Sequence, residues 1–288
     1  MKTSKRLKAR FILAMLALFI SFSSMVMVTF AWYVYHTGAH TSDIHMAVGA
    51  GSSLQISSTY DGVYGNAAMM DEFEGLLNPV STNRITGGFQ KVTGFTNGSE
   101  NQPRLLASLF GASDSSDYYK TTLFMRSSGE EQNIYLSNIG YEDDDLNNPI
   151  STAIRVGFVV HEAGKDKPVQ SEYIFAINQA PNPLGEYNTA TGQEGYVLDC
   201  EKTDGTTVPM TSLYTSEQYC TYDTSNGAVT LKPNSLSLFS LKGNNDGYGE
   251  PVQVDVYIWL EGCDRDCTNN LCSTSLTKIA LSFVSVSQ

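Results

Sequence analysis

The sequence predicts an all-β protein: an antiparallel β-sandwich with short helical insertions, placed behind an N-terminal export segment. Three observations carry the prediction. Apolar and polar residues alternate with period two in about nine or ten separate segments. Tyr (16) and Phe (13) are plentiful, as strands favour aromatic side chains. Gly, Asn, Ser and Thr fall between the alternating segments, where turns need them.

The chain opens with Lys2, Lys5, Arg6, Lys8 and Arg10, and from Phe11 to Tyr35, 25 residues, no side chain is charged. As a helix this run would reach about 37 Å, more than the roughly 30 Å hydrocarbon core of a bilayer. A simple secretory core is only about 7–15 residues long. Residues 1–35 therefore read as a signal peptide, a membrane anchor (a transmembrane helix), or both. The basic flank stays in the cytoplasm and sends the remainder outside, so the expected location is extracellular or on the cell surface. Signal cleavage is expected at Ala31, because Thr29 and Ala31 are small enough for the −3 and −1 positions. Bulky Phe30 and Trp32 leave an uncleaved anchor open as the alternative. Residues 36–52 read as a flexible segment and 53–288 as the sandwich domain.

Within the domain, "PVQVDVYIWLEG" alternates most cleanly. Val252, Val254, Val256, Ile258 and Leu260 face one way, and Gln253, Asp255, Tyr257 and Trp259 the other. "TAIRVGFVVHE" places Ile154, Val156, Phe158 and Val160 inward. Further strands are expected at Thr121–Ser128, Gln132–Ile139, Glu172–Asn178, Ala228–Pro233 and Leu236–Gly243. Near the start Leu54 and Ile56 share a face, and near the end Ile279, Leu281 and Phe283 do. Two helices are expected: "QPRLLASLFG", with Pro103 near its start and Gly111 after it, and "AAMMDEFEGLL" over Ala67–Leu77.

Charge excludes one class of partner. Of 18 basic residues five precede His36, so 13 stand against all 30 acidic residues in the part that follows. A body that acidic repels phosphate backbones, and nucleic acid is set aside. The five cysteines, Cys200, Cys220, Cys263, Cys267 and Cys272, suit an oxidising compartment. A Cys200–Cys220 disulfide would close a polar, turn-rich loop. Cys263, Cys267 and Cys272 form a cysteine-rich loop in which at most one pair forms. A zinc site there would need a fourth ligand and lacks the usual C-x2-C knuckle, and free thiols are the third option.

No catalytic motif emerges, and the chain is not expected to be an enzyme. There is no H-E-x-x-H, no G-x-S-x-G elbow, no P-loop and no dinucleotide fingerprint. The four histidines are His36, His40, His45 and His161. No cofactor is expected beyond calcium, for which Glu142, Asp143 and Asp145 in "YEDDDLNN" are the first candidates, although the spacing is not that of an EF-hand. "VDVYIWLEGCDRDCTNN" is the densest stretch. It reads either as a loop braced by hydrogen bonds or as a ligand-binding loop around Glu261, Asp264 and Asp266.

The basic start, the apolar run, the exit "TFAWYV" and the first strand "LQISS" resemble exported Gram-positive proteins that use the SipW-type signal peptidase. Camelysin and the TasA biofilm matrix fibre subunit belong to that group. The order "TTLFMRSS", "NIYLSN", "TAIRVGFVV", "VDVYIWLEGCDRDC" and "IALSFVSV" resembles exported clostridial proteins with the same signal. The resemblance implies a jelly-roll-like sandwich, processing by a signal peptidase, and a structural role in the cell surface or biofilm matrix. The proteolytic activity described for camelysin has no motif to rest on here. Residues Trp32 to about Val48 have strand propensity and no evident partner in their own domain, so strand addition to another copy is expected. A membrane-tethered, adhesin-like module holding a glycan or protein is the alternative.

Overall fold

Alternation along the sequence becomes alternation of burial in the structure. The computed structural model describes residues 43–48, 54–70, 77–82, 84–92, 96–98, 102–104, 110–113, 115–143, 150–177, 187–188, 193–194, 213–223, 225, 227–244, 247–262, 264, 267, 271 and 276–287. The chain divides into two units, Met1–His40 and Thr41–Gln288, and the whole of the first lies outside the described residues. The signal or anchor and the cleavage position Ala31 lie there too. Among the described residues no helix is long and apolar enough to cross a membrane.

Twenty strands form among the described residues. The first eight are β1 (Asp43–Val48), β2 (Leu54–Ser57), β3 (Ala67–Met69), β4 (Pro79–Ser81), β5 (Gln90–Val92), β6 (Thr96–Gly98), β7 (Gln102–Arg104) and β8 (Phe110–Ala112). Then come β9 (Tyr119–Ser127), β10 (Gln132–Asp143), β11 (Ile154–Ala163), β12 (Val169–Ala176), β13 (Tyr187–Asn188) and β14 (Gln193–Glu194). The last are β15 (Leu213–Tyr214), β16 (Thr221–Asp223), β17 (Ala228–Thr230), β18 (Ser237–Leu241), β19 (Val252–Glu261) and β20 (Leu276–Ser287).

Sheet I runs β18-β10-β20-β1-β3. Sheet II runs β15-β12-β11-β19, and beyond β19 its edge is shared. There β9 pairs with Val252–Ile258 and leads to β2, while β4 pairs with Leu260 and Glu261 and leads to β5 and β8. The inward residues of both sheets meet in one core. Leu123, Val156, Phe158, Val254 and Val256 from sheet II bury against Ile134, Leu136, Phe239, Leu281 and Phe283 from sheet I. Phe158 and Phe283 meet edge to face across it, with ring centres 5.7 Å apart. Each sheet also carries a smaller apolar cluster on a further face. For sheet II it holds Val80, Ile85, Phe89, Val159, Ile174 and Trp259. For sheet I it holds Tyr135, Cys220 and Val284, joined by Tyr222 and Val229 of the β16–β17 ribbon.

Every strand expected from the alternating pattern is present. Among the described residues the only helical turns are 3-10 turns at Ile85–Gly87, Ile150–Thr152 and Ser216–Gln218, and the described parts of the two expected helices are extended. Ala67–Met69 pairs with β1, and the two ends of the other expected helix, Gln102–Arg104 and Phe110–Ala112, pair with β6 and β5. Residues 71–76 and 105–109, the remainder of those two segments, lie outside the described residues. At Ala67–Met69, pairing with β1 overrides the helical propensity of the local sequence. Likewise β1 lies inside the stretch 36–52 that reads as flexible.

Gly157 shows how tightly the cover over Trp259 sits. A Cβ there would collide with Ile85 Cδ1 and come within 2.9 Å of the Trp259 ring. Gly157→Ala is expected to destabilise by about 1–3 kcal/mol, read as a lower urea midpoint. Gly140→Ala, where the nearest atoms would be 3.4 Å and 3.6 Å away, serves as the neutral comparison. Equal midpoints for the two variants would show that the cover yields freely.

Candidate functional site

Three places gather chemistry, and the first is the seat of β1. This strand lies between β20 and β3. It runs parallel to β20 from Asp43↔Lys278 to Val48↔Phe283, and antiparallel to β3 from His45↔Met69 to Ala47↔Ala67. The described part of the stretch expected to lack a partner in its own domain, residues 43–48, thus has two, and residues 32–42 lie outside the described residues. Lys278 stands in register with Asp43 on one side and Glu142 on the other, with Nζ 3.5 Å from Glu142 Oε1. This exposed pair aligns the strands more than it stabilises them.

The same contact engages the first residue of the expected calcium group. Glu142 lies on β10 facing Lys278, Asp143 is the last residue of β10, and Asp145 lies outside the described residues. Among the described residues no three His, Cys, Asp or Glu side chains gather to hold an ion.

The second place is the end of β19. Arg155 is 0% exposed, and its Nη2 donates to Asp264 Oδ2 at 2.6 Å while Nη1 donates to the Ile154 carbonyl at 3.0 Å. Just before that loop, Trp259 Nε1 donates to the buried Glu261 carboxylate at 2.9 Å. The Glu261 amide donates to the Ala153 carbonyl at 2.8 Å, the Gly262 amide to Val80 at 2.9 Å, and the Cys267 amide to Asp264 at 3.0 Å. Glu261 and Asp264 therefore turn inward and brace the start of the cysteine-rich loop. Cys267 is half-buried, and Cys263, Asp266 and Cys272 lie outside the described residues. Cys220 is a buried thiol in the small sheet I cluster, with burial pushing its pKa up, and its expected partner Cys200 lies outside the described residues.

The third place is Asp255, on the opposite face of β19 from the shared core and 6% exposed. Its Oδ1 accepts from Thr122 Oγ1 at 2.7 Å and Gln253 Nε2 at 3.0 Å. Its Oδ2 lies 3.4 Å from Lys120 Nζ and 3.4 Å from His161 Nε2. His161 Nδ1 is 2.7 Å from the Lys167 carbonyl oxygen, which only accepts, so Nδ1 carries a hydrogen. Burial alone would raise the Asp255 carboxyl. The hydrogen bonds from Gln253 and Thr122 and the charges of Lys120 and His161 outweigh it and hold the group below its ordinary value.

No family model, curated protein or solved structure matches this chain. The chemistry of these three places has to be read from their own atoms. Asp255 is held by four protein partners and Arg155 by an ion pair and a carbonyl, and both organise structure. Neither stands out in the sequence as a site residue, although a charge inside the nearly unbroken apolar run "AIRVGFVV" signals a strand buried on both faces.

Two outcomes are expected. Arg155→Met and Asp264→Ala should each destabilise by about 3–5 kcal/mol, because each strands a buried charge. Urea unfolding of the double variant should show less than the sum; additive losses would mean that the two charges do not depend on each other. For Asp255 the sign follows from a lowered carboxyl: its stabilisation is complete above the unfolded value of about 3.9 and is lost as pH falls below it through the folded value. Asp255→Asn should therefore be less stable than the parent at neutral pH, with the gap narrowing below about pH 4. A gap that stays constant with pH would sink this assignment.

Proposed function

We propose that the chain is an exported structural subunit of the cell surface or biofilm matrix that assembles by strand exchange. In this reading β1 of one copy takes the place between β20 and β3 of the next. The observation that supports it is the parallel pairing of β1 with β20. A parallel neighbour cannot be delivered by a tight hairpin, so β1 is held in its seat by main-chain bonds rather than by a short connection. The residues that follow it, Gly49, Ala50, Gly51, Ser52 and Ser53, set little steric limit on redirecting the strand into another copy. Exchange of an identical element between protomers needs no new contact, and when not reciprocal it is head-to-tail and open-ended. The basic start and apolar run support export by a signal peptidase, and the resemblance to TasA-like proteins supports a jelly-roll-like path and a matrix role. A second reading, a tethered glycan- or protein-binding module, draws support from Tyr64 and Tyr248, whose rings pack against the Arg126 guanidinium on β9.

The test compares chains beginning at Trp32 and at Leu54 by sedimentation and electron microscopy. The longer chain should polymerise with rising concentration, and a free peptide of residues 43–48 should shorten the polymers by filling the seat. The chain beginning at Leu54 should not polymerise. Monomers of the longer chain at every concentration, pH and calcium level tried would rule out strand exchange.

A further inference from the structure

The outer face of sheet II carries a guanidinium whose surroundings leave one of its edges unused. Arg126 on β9 pairs across the sheet with Gln55 on β2. Its Nε and Nη2 both donate to Gln55 Oε1, at 3.1 Å and 2.9 Å. Two loops then flank it with aromatic rings. The guanidinium carbon lies 4.0 Å from the ring centre of Tyr64 and 4.3 Å from that of Tyr248. Tyr64 belongs to the turn that leaves β2 and is fixed by its hydroxyl, which donates to the Tyr60 carbonyl at 2.9 Å. Tyr248 is held by a bridge to Ser128 just beyond β9 and is 38% exposed. Tyr60 packs edge-on against Phe124, and its hydroxyl donates to Glu250 Oε2 at 2.8 Å.

The geometry has a chemical consequence. A guanidinium offers two forked edges, one made by Nε and Nη2 and one by Nη1 and Nη2. Gln55 occupies the first. Among the described residues the second meets no acceptor, and no carboxylate pairs with Arg126, although the body of the protein is strongly acidic. Ring contacts on the guanidinium plane limit its rotation, so the free fork is held ready for a planar, bidentate oxyanion. Tyr248 offers exposed ring surface beside it, and Glu250 offers a carboxylate that accepts hydroxyls. A phosphate of nearly two negative charges would be opposed by Glu250 and by the net charge of the body. A single carboxylate flanked by hydroxyls suits a forked donor, an exposed ring and a carboxylate acceptor.

We propose that Arg126, with Gln55, Tyr64, Tyr248 and Glu250, forms a binding site for acidic saccharides of the uronic-acid class. The ligand carboxylate takes the Nη1–Nη2 fork, a pyranose face lies on Tyr248, and a ligand hydroxyl donates to Glu250. Gln55 and Tyr64 act as positioning residues. Arg126 and Gln55 lie on sheet II, whereas β1 pairs within sheet I, so the proposal does not depend on whether the chain polymerises or remains tethered.

The test is isothermal titration of the full-length protein, at physiological ionic strength, with a glucuronate-containing disaccharide, its methyl ester and inorganic phosphate. The free uronate should bind, and the ester and phosphate should bind about tenfold more weakly or not at all. Arg126→Lys, which keeps the charge but loses the fork, should also weaken uronate binding about tenfold. Tyr248→Ala should weaken it further than Tyr248→Phe, and thermal melts should show these exposed-face variants folded. Binding of ester and acid with equal affinity, phosphate binding as tightly as the uronate, or an Arg126→Lys variant with parental affinity would each overturn the proposal. So would the absence of any uronate binding, whatever the sedimentation of the chain shows about strand exchange.

Discussion

Strand β19 has two faces and three neighbours, and the rest of the architecture depends on how those are used. Its Val252, Val254, Val256, Ile258 and Leu260 enter the core shared by the two sheets, while Asp255 and Trp259 on the opposite face are nearly as buried. One strand cannot be buried on both faces unless something covers the second. Here that is the stretch between β4 and β5, whose Ile85 and Phe89 close on Trp259. The arrangement turns a half-buried strand into a central one, and it makes the polar groups on the second face expensive unless each is paired.

The pairing is achieved in two ways. At the end of β19 a buried guanidinium meets a buried carboxylate, and the Trp259 indole satisfies a second carboxylate. In the middle, Asp255 collects the Thr122 and Gln253 donors on one oxygen and the Lys120 ammonium and His161 imidazole on the other. Buried ion pairs are weak contributors to net stability and strong penalties when broken. Their effect here is to hold β9, β11 and the loop after β19 in one arrangement.

The two sheets divide the remaining opportunities. Sheet I accepts β1 through main-chain bonds, which are indifferent to whether the strand arrives from the same chain or another. Sheet II carries Arg126 between Tyr64 and Tyr248 on the face away from the shared core, where side-chain contacts rather than backbone pairing hold the group.

Long strands were legible because period two sustained over eight or more residues fits an extended backbone and not a helical one. The segments that became β9, β10, β11, β12, β19 and β20 all declare themselves in the sequence. Short strands such as β3, β5, β7 and β8 did not, since three residues carry no period, and apolar spacing at Ala67–Leu77 and Gln102–Gly111 suggested helices instead. The basic start with its uncharged run, the acidic body and the absence of familiar catalytic motifs are likewise properties of composition and order. Partnership is different. Arg155 meets Asp264 across 109 positions of chain, and His161 meets Asp255 across 94. The convergence of Lys120 on Asp255, and of Tyr64 and Tyr248 on Arg126, likewise joins segments that only folding brings together. The seat of β1 is the clearest case. Its sequence has strand character, but its register against β20 joins opposite ends of the domain, and only the closing of sheet I creates the edges that receive it.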